Sequence, residues 1–345
     1  MLTLLDHIPD GLLDCPATEL HTILPGPTLI SLPGRRAEPL FVSVLLHGNE
    51  VTGLSAIQSV LTQFQEKELP RALTIFFGNV HAAREGQRHL DGQPDYNRCW
   101  PCAEFDGECV GDTPEHKMMQ QIVDILREQN LFASIDVHNN TGLNPHYGCI
   151  NKRDTGFFHL ATLFSRTVVY FIRPTGVQSM ALSELCPAVT VECGKPDQSH
   201  GAAHAAEFIN TCLHLSELPT HPVAVHDMDL YHTVATVTVP EHISISFDGQ
   251  GTLNKKPTDI EFVPDLDHLN FHELSTGIAL GYVNPGQTEI PLQVVDENGK
   301  DATERYFKLE EGELRTAREV MPSMFTLNEE VIRQDCLGYL MERMD

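Results

Sequence analysis

Positive charge is scarce in this chain. Its 345 residues carry 23 Lys and Arg against 48 Asp and Glu, a formal net charge of −25. A nucleic-acid backbone is gripped by clustered Lys and Arg, so nucleic acid is not expected as a partner. The deficit says little about a small anionic ligand, which one local arginine pocket can hold. Long apolar runs are also lacking. No window approaches the roughly 20 apolar residues of a membrane span, so no membrane partner is expected. The opening Met1-Leu-Thr-Leu-Leu-Asp-His7 has no basic segment, and Asp6 and Asp10 interrupt it, unlike a secretory signal. Nine cysteines without such a signal are expected to be reduced thiols in a cytoplasmic protein. Internal repeats and low-complexity tracts are missing too. What remains, at 41% hydrophobic content, suffices for a full-sized core, and the length suits two domains. A homo-oligomer stays open.

The texture of the chain changes near Pro219-Thr-His-Pro222. Before it, Leu40–Leu46, Ala72–Val80, Phe132–His138, Thr167–Phe171 and Ala188–Cys193 read as strands, rich in Val, Ile and Phe. Helical spacing occupies Val51–Gln65, Pro114–Gln129 and Ser199–Leu218. The second of these begins clearly, with Thr113 as N-cap, Pro114 at the first helical position and Glu115 in the first turn. Its apolar Met118, Ile122, Ile125 and Leu126 share a face. Strands alternating with helices predict an α/β fold with a largely parallel or mixed sheet flanked by helices, over residues 1–220. Residues 221–345 read as a smaller β-rich domain. There Leu230–Val239 and His242–Phe247 alternate, Asp248-Gly-Gln-Gly251 and Glu297-Asn-Gly299 signal turns, and a short helix is expected near Asn328–Arg333.

Several of the predicted strands end in groups that bind metals or move protons. His47-Gly48-Asn49-Glu50 follows Pro39-Leu-Phe-Val-Ser-Val-Leu-Leu46, His138 ends Phe132–His138, and Glu192 ends Ala188-Val-Thr-Val-Glu192. In an α/β sheet, ligands from distant strands meet along one edge. Two histidines and a carboxylate there can hold zinc and leave a fourth position for water, whose pKa falls toward neutrality. A further carboxylate, Glu192, is what zinc hydrolysis needs as general base. Gly48 is expected to relax the backbone so that His47 and Glu50 face one point. The bland alternative has both residues capping the helix that starts near Val51. The loop Arg88-His-Leu-Asp-Gly-Gln-Pro-Asp-Tyr-Asn-Arg98 adds two guanidinium groups and the Asn97 amide. An arginine there can fork onto a carboxylate or polarise a carbonyl; a solvated pairing of Arg88 with Asp91 or Asp95 is the alternative.

Taken in order, His47-Gly48-Asn49-Glu50, Asp95-Tyr96-Asn97-Arg98, Asp136-Val137-His138-Asn139-Asn140-Thr141 and Glu192-Cys193-Gly194 make a series that resembles the succinylglutamate desuccinylase/aspartoacylase family, relatives of the zinc carboxypeptidases. The resemblance implies one zinc per chain, held by His47, Glu50 and His138, with Glu192 catalytic. It implies Asn97 and Arg98 as binders of substrate carboxylate or carbonyl, Arg98 acting in catalysis too, and Arg88 as a further substrate-binding candidate. The implied activity is hydrolysis of the amide bond of a small N-acyl amino acid, with a peptide carboxypeptidase as the alternative and a non-catalytic metal-binding module as a more distant one. The β-rich C-terminal part agrees with the domain that this family appends. An additional arginine expected before the catalytic glutamate has only Arg166 and Arg173 as candidates. A substrate-contacting tyrosine would be one of Tyr231, Tyr282, Tyr306 and Tyr339. These departures imply a divergent member, whose substrate need not be succinylglutamate or acetylaspartate.

Three other features compete for attention. Cys99-Trp-Pro-Cys102, with Cys109 nearby, has redox-pair spacing, but Pro101 and the acidic Glu104–Glu108 do not open a long helix, and a structural role is expected. His200 and His204 have metal-compatible spacing on a helix, yet a solvent-facing or capping role is expected. Asp136 is expected to turn to the strand face opposite His138; orienting a zinc histidine and supporting the fold are both open roles for it.

Overall fold

The structure is a computed structural model that describes residues 1–102, 111–196, 198–247 and 258–344. The turn predicted at Asp248–Gly251, the acidic Glu104–Glu108 and Cys109 lie outside the described residues. The chain divides into two compact units, Met1–Asn139 with His146–Asp229, and Asn140–Pro145 with Leu230–Asp345.

The first unit is built on strands β1 (Thr3–Leu5), β2 (Thr28–Leu32), β3 (Gly34–Val44), β4 (Leu69–Phe77), β5 (Ala133–His138), β6 (Tyr147–Ile150), β7 (Thr167–Tyr170) and β8 (Ala188–Glu192). Their order across the sheet is β1-β2-β4-β3-β5-β8-β6-β7. The centre is parallel: β3 pairs with β4 and β5, and β5 pairs with β8. The pairs β2–β4 and β6–β8 are antiparallel, so the sheet is mixed. Strands β5 and β8 are buried along their whole length, which explains their near-continuous apolar sequence. Its α-helices among the described residues are α1 (Thr52–Thr62), α2 (Val80–Glu85), α3 (Pro114–Arg127), α4 (Thr155–Phe164), α5 (Gln178–Leu182) and α6 (Ser199–His214).

Local chemistry accounts for where these elements begin and end. The Thr113 side chain accepts from the His116 amide, as a threonine N-cap should. The buried face of α3 takes in Met119 and Val123 beside Met118, Ile122 and Leu126, and leaves Ile125 half-buried. Strand β4 stops at Phe77 rather than Val80, because the Asn79 side chain accepts from the Ala82 amide and starts α2 there. Likewise Asp154 caps α4, whose period is blurred by Phe158 and Leu163 lying off the buried face. Strands β1, β2 and β6 are short and carry no strong alternation.

The second unit holds β9 (Asp229–Thr238), flanked antiparallel by β13 (Gln293–Asp296) and by β17 (Gly338–Arg343), with β16 (Met321–Ser323) on β17. A separate smaller sheet runs β10-β11-β12-β15-β14, through Ile245–Ser246, Ile260–Phe262, Ala279–Val283, Glu313–Thr316 and Phe307–Glu310. Of the strand predicted over His242–Phe247 only Ile245–Ser246 pairs. The chain turns just before it, where the Ile243 amide donates to the Pro240 carbonyl. A turn does occur at Glu297–Gly299, with Gly299 at φ 75°. The short helix Glu329–Gln334 is capped by Asn328. Val237, Val294, Phe262, Tyr306 and Phe307 belong to one core in this unit.

Arg71 is a charged residue at the heart of the first unit, 1% exposed in mid-β4. Its guanidinium donates to the Glu38 carbonyl at 2.8 Å, and to the Leu215 and Ser216 carbonyls at 2.8 and 3.3 Å just past α6. It lies 3.7 Å over the Phe132 ring. These bonds tie strand β3 and the end of α6 to β4. Replacing Arg71 by Met removes the donor from three part-buried carbonyls, so Arg71→Met should lower stability by about 1–3 kcal/mol. Urea unfolding checks this; an unchanged midpoint would show the carbonyls resolvated.

Candidate metal centre

The His47–Glu50 loop leaves the carboxyl end of β3 through an unusual backbone step. Leu45, fully buried, sits at φ 57°, in the left-handed region that leucine rarely enters. That step turns the chain from the strand toward α1. Gly48 acts differently from expectation: it is not among the left-handed residues. Its role is close approach, since a Cβ there would lie 2.2 Å from the Ala83 nitrogen and 2.3 Å from the Ala82 carbonyl carbon. The helix after this loop has Val51 as its N-cap and no side-chain cap, so His47 and Glu50 do not cap it.

Both residues instead converge on His138, the last residue of β5. Glu50 Oε1 lies 2.7 Å from His47 Nδ1, and Oε2 lies 2.8 Å from His138 Nδ1. The Asn139 amide donates to the same Glu50 carboxylate at 3.0 Å. One donor atom from each of His47, Glu50 and His138 lies within 4.8 Å of the others, and all three residues are buried.

Each imidazole meets a second carboxylate through its far nitrogen. His47 Nε2 lies 2.9 Å from Asp95 Oδ1, and His138 Nε2 lies 2.8 Å from Asp136 Oδ2. Asp136 in turn accepts from the Ser43 hydroxyl at 2.7 Å, from β3. The expectation that Asp136 turns away from His138 is overturned. A spacing of two on a strand returns to the same face. Asp95 opens the Asp95-Tyr96-Asn97-Arg98 motif but was expected to do no more than pair with Arg88. Its place two residues ahead of Asn97, inside Asp-Tyr-Asn-Arg, was the available signal.

Electrostatically the cluster is self-neutralising. Burial opposes the charged forms of Glu50, Asp95, His47 and His138, but proximity outweighs it. Flanking His47 and His138 hold Glu50 below its ordinary value, and His47 and Arg88 hold Asp95 well below the usual carboxylate range. Asp136 and Glu50 push His138 well above the ordinary imidazole value, and Asp95 and Glu50 raise His47. The donor set fits a zinc ion: two Nδ1 atoms and a carboxylate converge, while each histidine's remote nitrogen is pinned by a carboxylate that fixes ring and tautomer.

The Arg88–Arg98 loop is folded onto this cluster. Arg88 is buried and reaches Asp95 at 2.9 Å and Glu50 at 3.6 Å. Asp95 also accepts from the Asn97 amide at 2.7 Å, capping the single turn Tyr96–Arg98. The Asn97 side chain lies between the Gln178 amide, which donates to its Oδ1 at 3.0 Å, and His138 Nε2 at 3.3 Å. Arg98 is half-buried and donates to the Asn97 carbonyl at 2.8 Å. Glu192, the last residue of β8, is buried and is the register partner of His138 across the parallel pair. Register partners in adjacent strands point to the same face of the sheet. His138 and Glu192 therefore share one edge and one face.

Other candidates fall elsewhere. Arg166 is a surface residue paired with Asp229 at 2.7 Å, and Arg173 precedes a cis bond to Pro174. The four candidate tyrosines all belong to the second unit. Cys99 is a free, buried thiol, pushed by burial up to about 12. Cys102 is disulfide-bonded and Cys99 is free, so the two are not a pair, and the expectation of nine reduced thiols fails at Cys102. Among the described residues no helix is long and apolar enough to cross a membrane.

A model described as the succinylglutamate desuccinylase/aspartoacylase catalytic domain matches residues 38–217, more than half of the chain. Among curated proteins, none matches this chain in sequence. Solved structures share its fold at low identity. A succinylglutamate desuccinylase/aspartoacylase from Rhodobacter sphaeroides matches with a TM-score of 0.59 at 13% identity, over 92% of this chain and 89% of that one. The succinylglutamate desuccinylase of Chromobacterium violaceum gives 0.55 at 16% identity, over 90% and 86%. Murine aminoacylase 3 gives 0.55 at 14% identity, over 90% and 96%.

Purified protein should carry about one tightly bound zinc, and His47→Ala should lose it. Asp95→Asn and Asp136→Asn, which keep the ligands but weaken their orientation, should lower zinc affinity by about 10- to 100-fold. Elemental analysis and chelator competition measure both effects. Undiminished zinc in His47→Ala would remove that residue from the ligand set.

Proposed function

The chain belongs to the succinylglutamate desuccinylase/aspartoacylase family, and on that footing we propose that it is a zinc-dependent hydrolase that cleaves the amide bond of a small N-acyl amino acid. The observation that carries this reading is the buried His47–Glu50–His138 cluster, with Glu192 in register with His138 on the neighbouring strand. Bound by those three residues, zinc supplies Lewis acidity toward a carbonyl and brings the pKa of water toward neutrality.

The chain's own groups do the rest. Glu192 takes a proton from the attacking water as its oxygen adds to the acyl carbon. Arg98 stabilises the oxyanion that develops on the carbonyl oxygen. When the carbon–nitrogen bond breaks, Glu192 returns the proton to the leaving amine, and a carboxylic acid and a free amino acid result. Asn97 and Arg98 hold the substrate's carboxylate or carbonyl. Arg88, gripping Asp95, adds positive charge beside Glu50 in an otherwise acidic protein.

A hydrolysis screen over N-acyl amino acids and short peptides tests the substrate class. Turnover of peptides with none of free acyl amino acids would replace this reading by a carboxypeptidase. Glu192→Gln should retain zinc and fold and lose at least about two orders of magnitude in turnover, the scale of general acid–base catalysis; near-normal turnover would make Glu192 structural. Arg98→Lys keeps charge but loses the planar fork. It should lower kcat more than it raises KM, since Asn97 still holds the substrate. Wild-type kinetics in Arg98→Ala would remove the loop from the reaction.

A further inference from the structure

The first unit gathers a second group of imidazoles that the proposed reaction does not use. His146 leads directly into β6, and His200 and His204 lie four apart on α6, one turn separating them. His146 Nδ1 and His204 Nδ1 are 2.7 Å apart, with their rings inclined by only 17°. The His200 ring lies 5.3 Å from that of His146 at 13°.

This approach is built into the backbone. Gly201 lies between the two helix histidines, and a Cβ there would come 2.3 Å from the Cys193 carbonyl oxygen. Only glycine lets the first turn of α6 press against the end of β8. Gly194, at φ 74°, would place a Cβ 3.2 Å from His146 Nε2. On the other side Phe164 stacks on His204 at 4.3 Å and 10°, which holds that ring in one orientation.

Two like nitrogens at this distance present a chemical choice. A single proton can be shared between neutral rings, or a cation can take its place. Burial and the neighbouring histidines lower the pKa of His146, which favours the neutral ring that a metal needs. We propose that His146 and His204, joined by His200, form a second site for a divalent transition-metal ion such as zinc, nickel or copper. Histidines four apart on a helix can bind one ion, and a third imidazole completes a tridentate nitrogen site. With metal–nitrogen bonds of about 2.0–2.1 Å, tetrahedral ligands lie about 3.3 Å apart, so the two Nδ1 atoms need separate by roughly half an ångström. Among the described residues only the His47 group already has three donors converged. His200 is exposed, on the helix turn before His204, and swings in as the third ligand. Binding is therefore weaker than at the buried cluster. The ion would join the entry of β6 to the start of α6 across Cys193-Gly194, next to Glu192, and so stiffen the segment that follows β8.

The test titrates nickel and zinc into the full-length His47→Ala chain, so that the result does not depend on zinc at the first centre. One saturable equivalent is expected there. His47→Ala/His204→Ala and His47→Ala/His146→Ala should abolish it. The exposed His200→Ala, which threatens no packing, should weaken it at least tenfold. Copper bound in the same background should show nitrogen hyperfine coupling that His204→Ala removes. His159→Ala, in an unrelated histidine pair with His221, should change nothing. No saturable equivalent, one that survives His204→Ala, or one untouched by His200→Ala would each overturn the site as drawn.

Discussion

Everything at the candidate metal centre depends on the register of three parallel strands. Ser43 on β3 lies beside Asp136 on β5, and His138 on β5 lies beside Glu192 on β8. Parallel pairing brings the carboxyl ends of the three strands to one edge, and period-two alternation fixes which side chains share a face there. A slip of one residue between β5 and β8 would turn Glu192 to the opposite face from His138. Such a slip is penalised throughout, because both strands are buried on both faces. The hydrophobic core thus maintains the alignment of polar groups that contribute nothing to it.

Those polar groups are a poor investment in stability. Three carboxylates, two imidazoles and a guanidinium are packed together away from the surface, and a buried ionic cluster often stabilises less than apolar side chains of similar size. Leu45 adds a left-handed leucine at the entry to the loop, a conformation that costs of order 1–3 kcal/mol. Strain and buried charge concentrate at the candidate centre, and the rest of the sheet obeys ordinary rules of burial.

Much of this was legible in the sequence. The buried central strands announced themselves through unbroken runs of Val, Ile and Phe, and the histidines and acids at their ends through position. Thr113-Pro114-Glu115 marked the start of α3. Other features needed three dimensions. The brief β6 carries no period to read, and in α4 the period is blurred by Phe158 and Leu163 off the buried face. Asp95 reaches His47 across 48 residues of chain, a contact that no local pattern encodes. Asp136 was misread through the geometry of a strand, whereas its two-residue spacing from His138 already placed both on one face. His200 and His204 looked like a solvated helix pair because their third companion, His146, is 58 residues from His204.

Asp95 is one carboxyl group with three clients. It steadies His47, receives Arg88, and caps the turn that carries Asn97 and Arg98. Occupancy of the candidate metal centre would therefore be linked to order in that turn through a single side chain. Linkage of this kind is reciprocal: whatever factor the ion adds to the affinity for a small molecule, that molecule must return to the affinity for the ion. Under the proposed function, a chain without zinc would hold a substrate poorly as well as fail to cleave it, so that empty copies would not sequester what loaded copies consume.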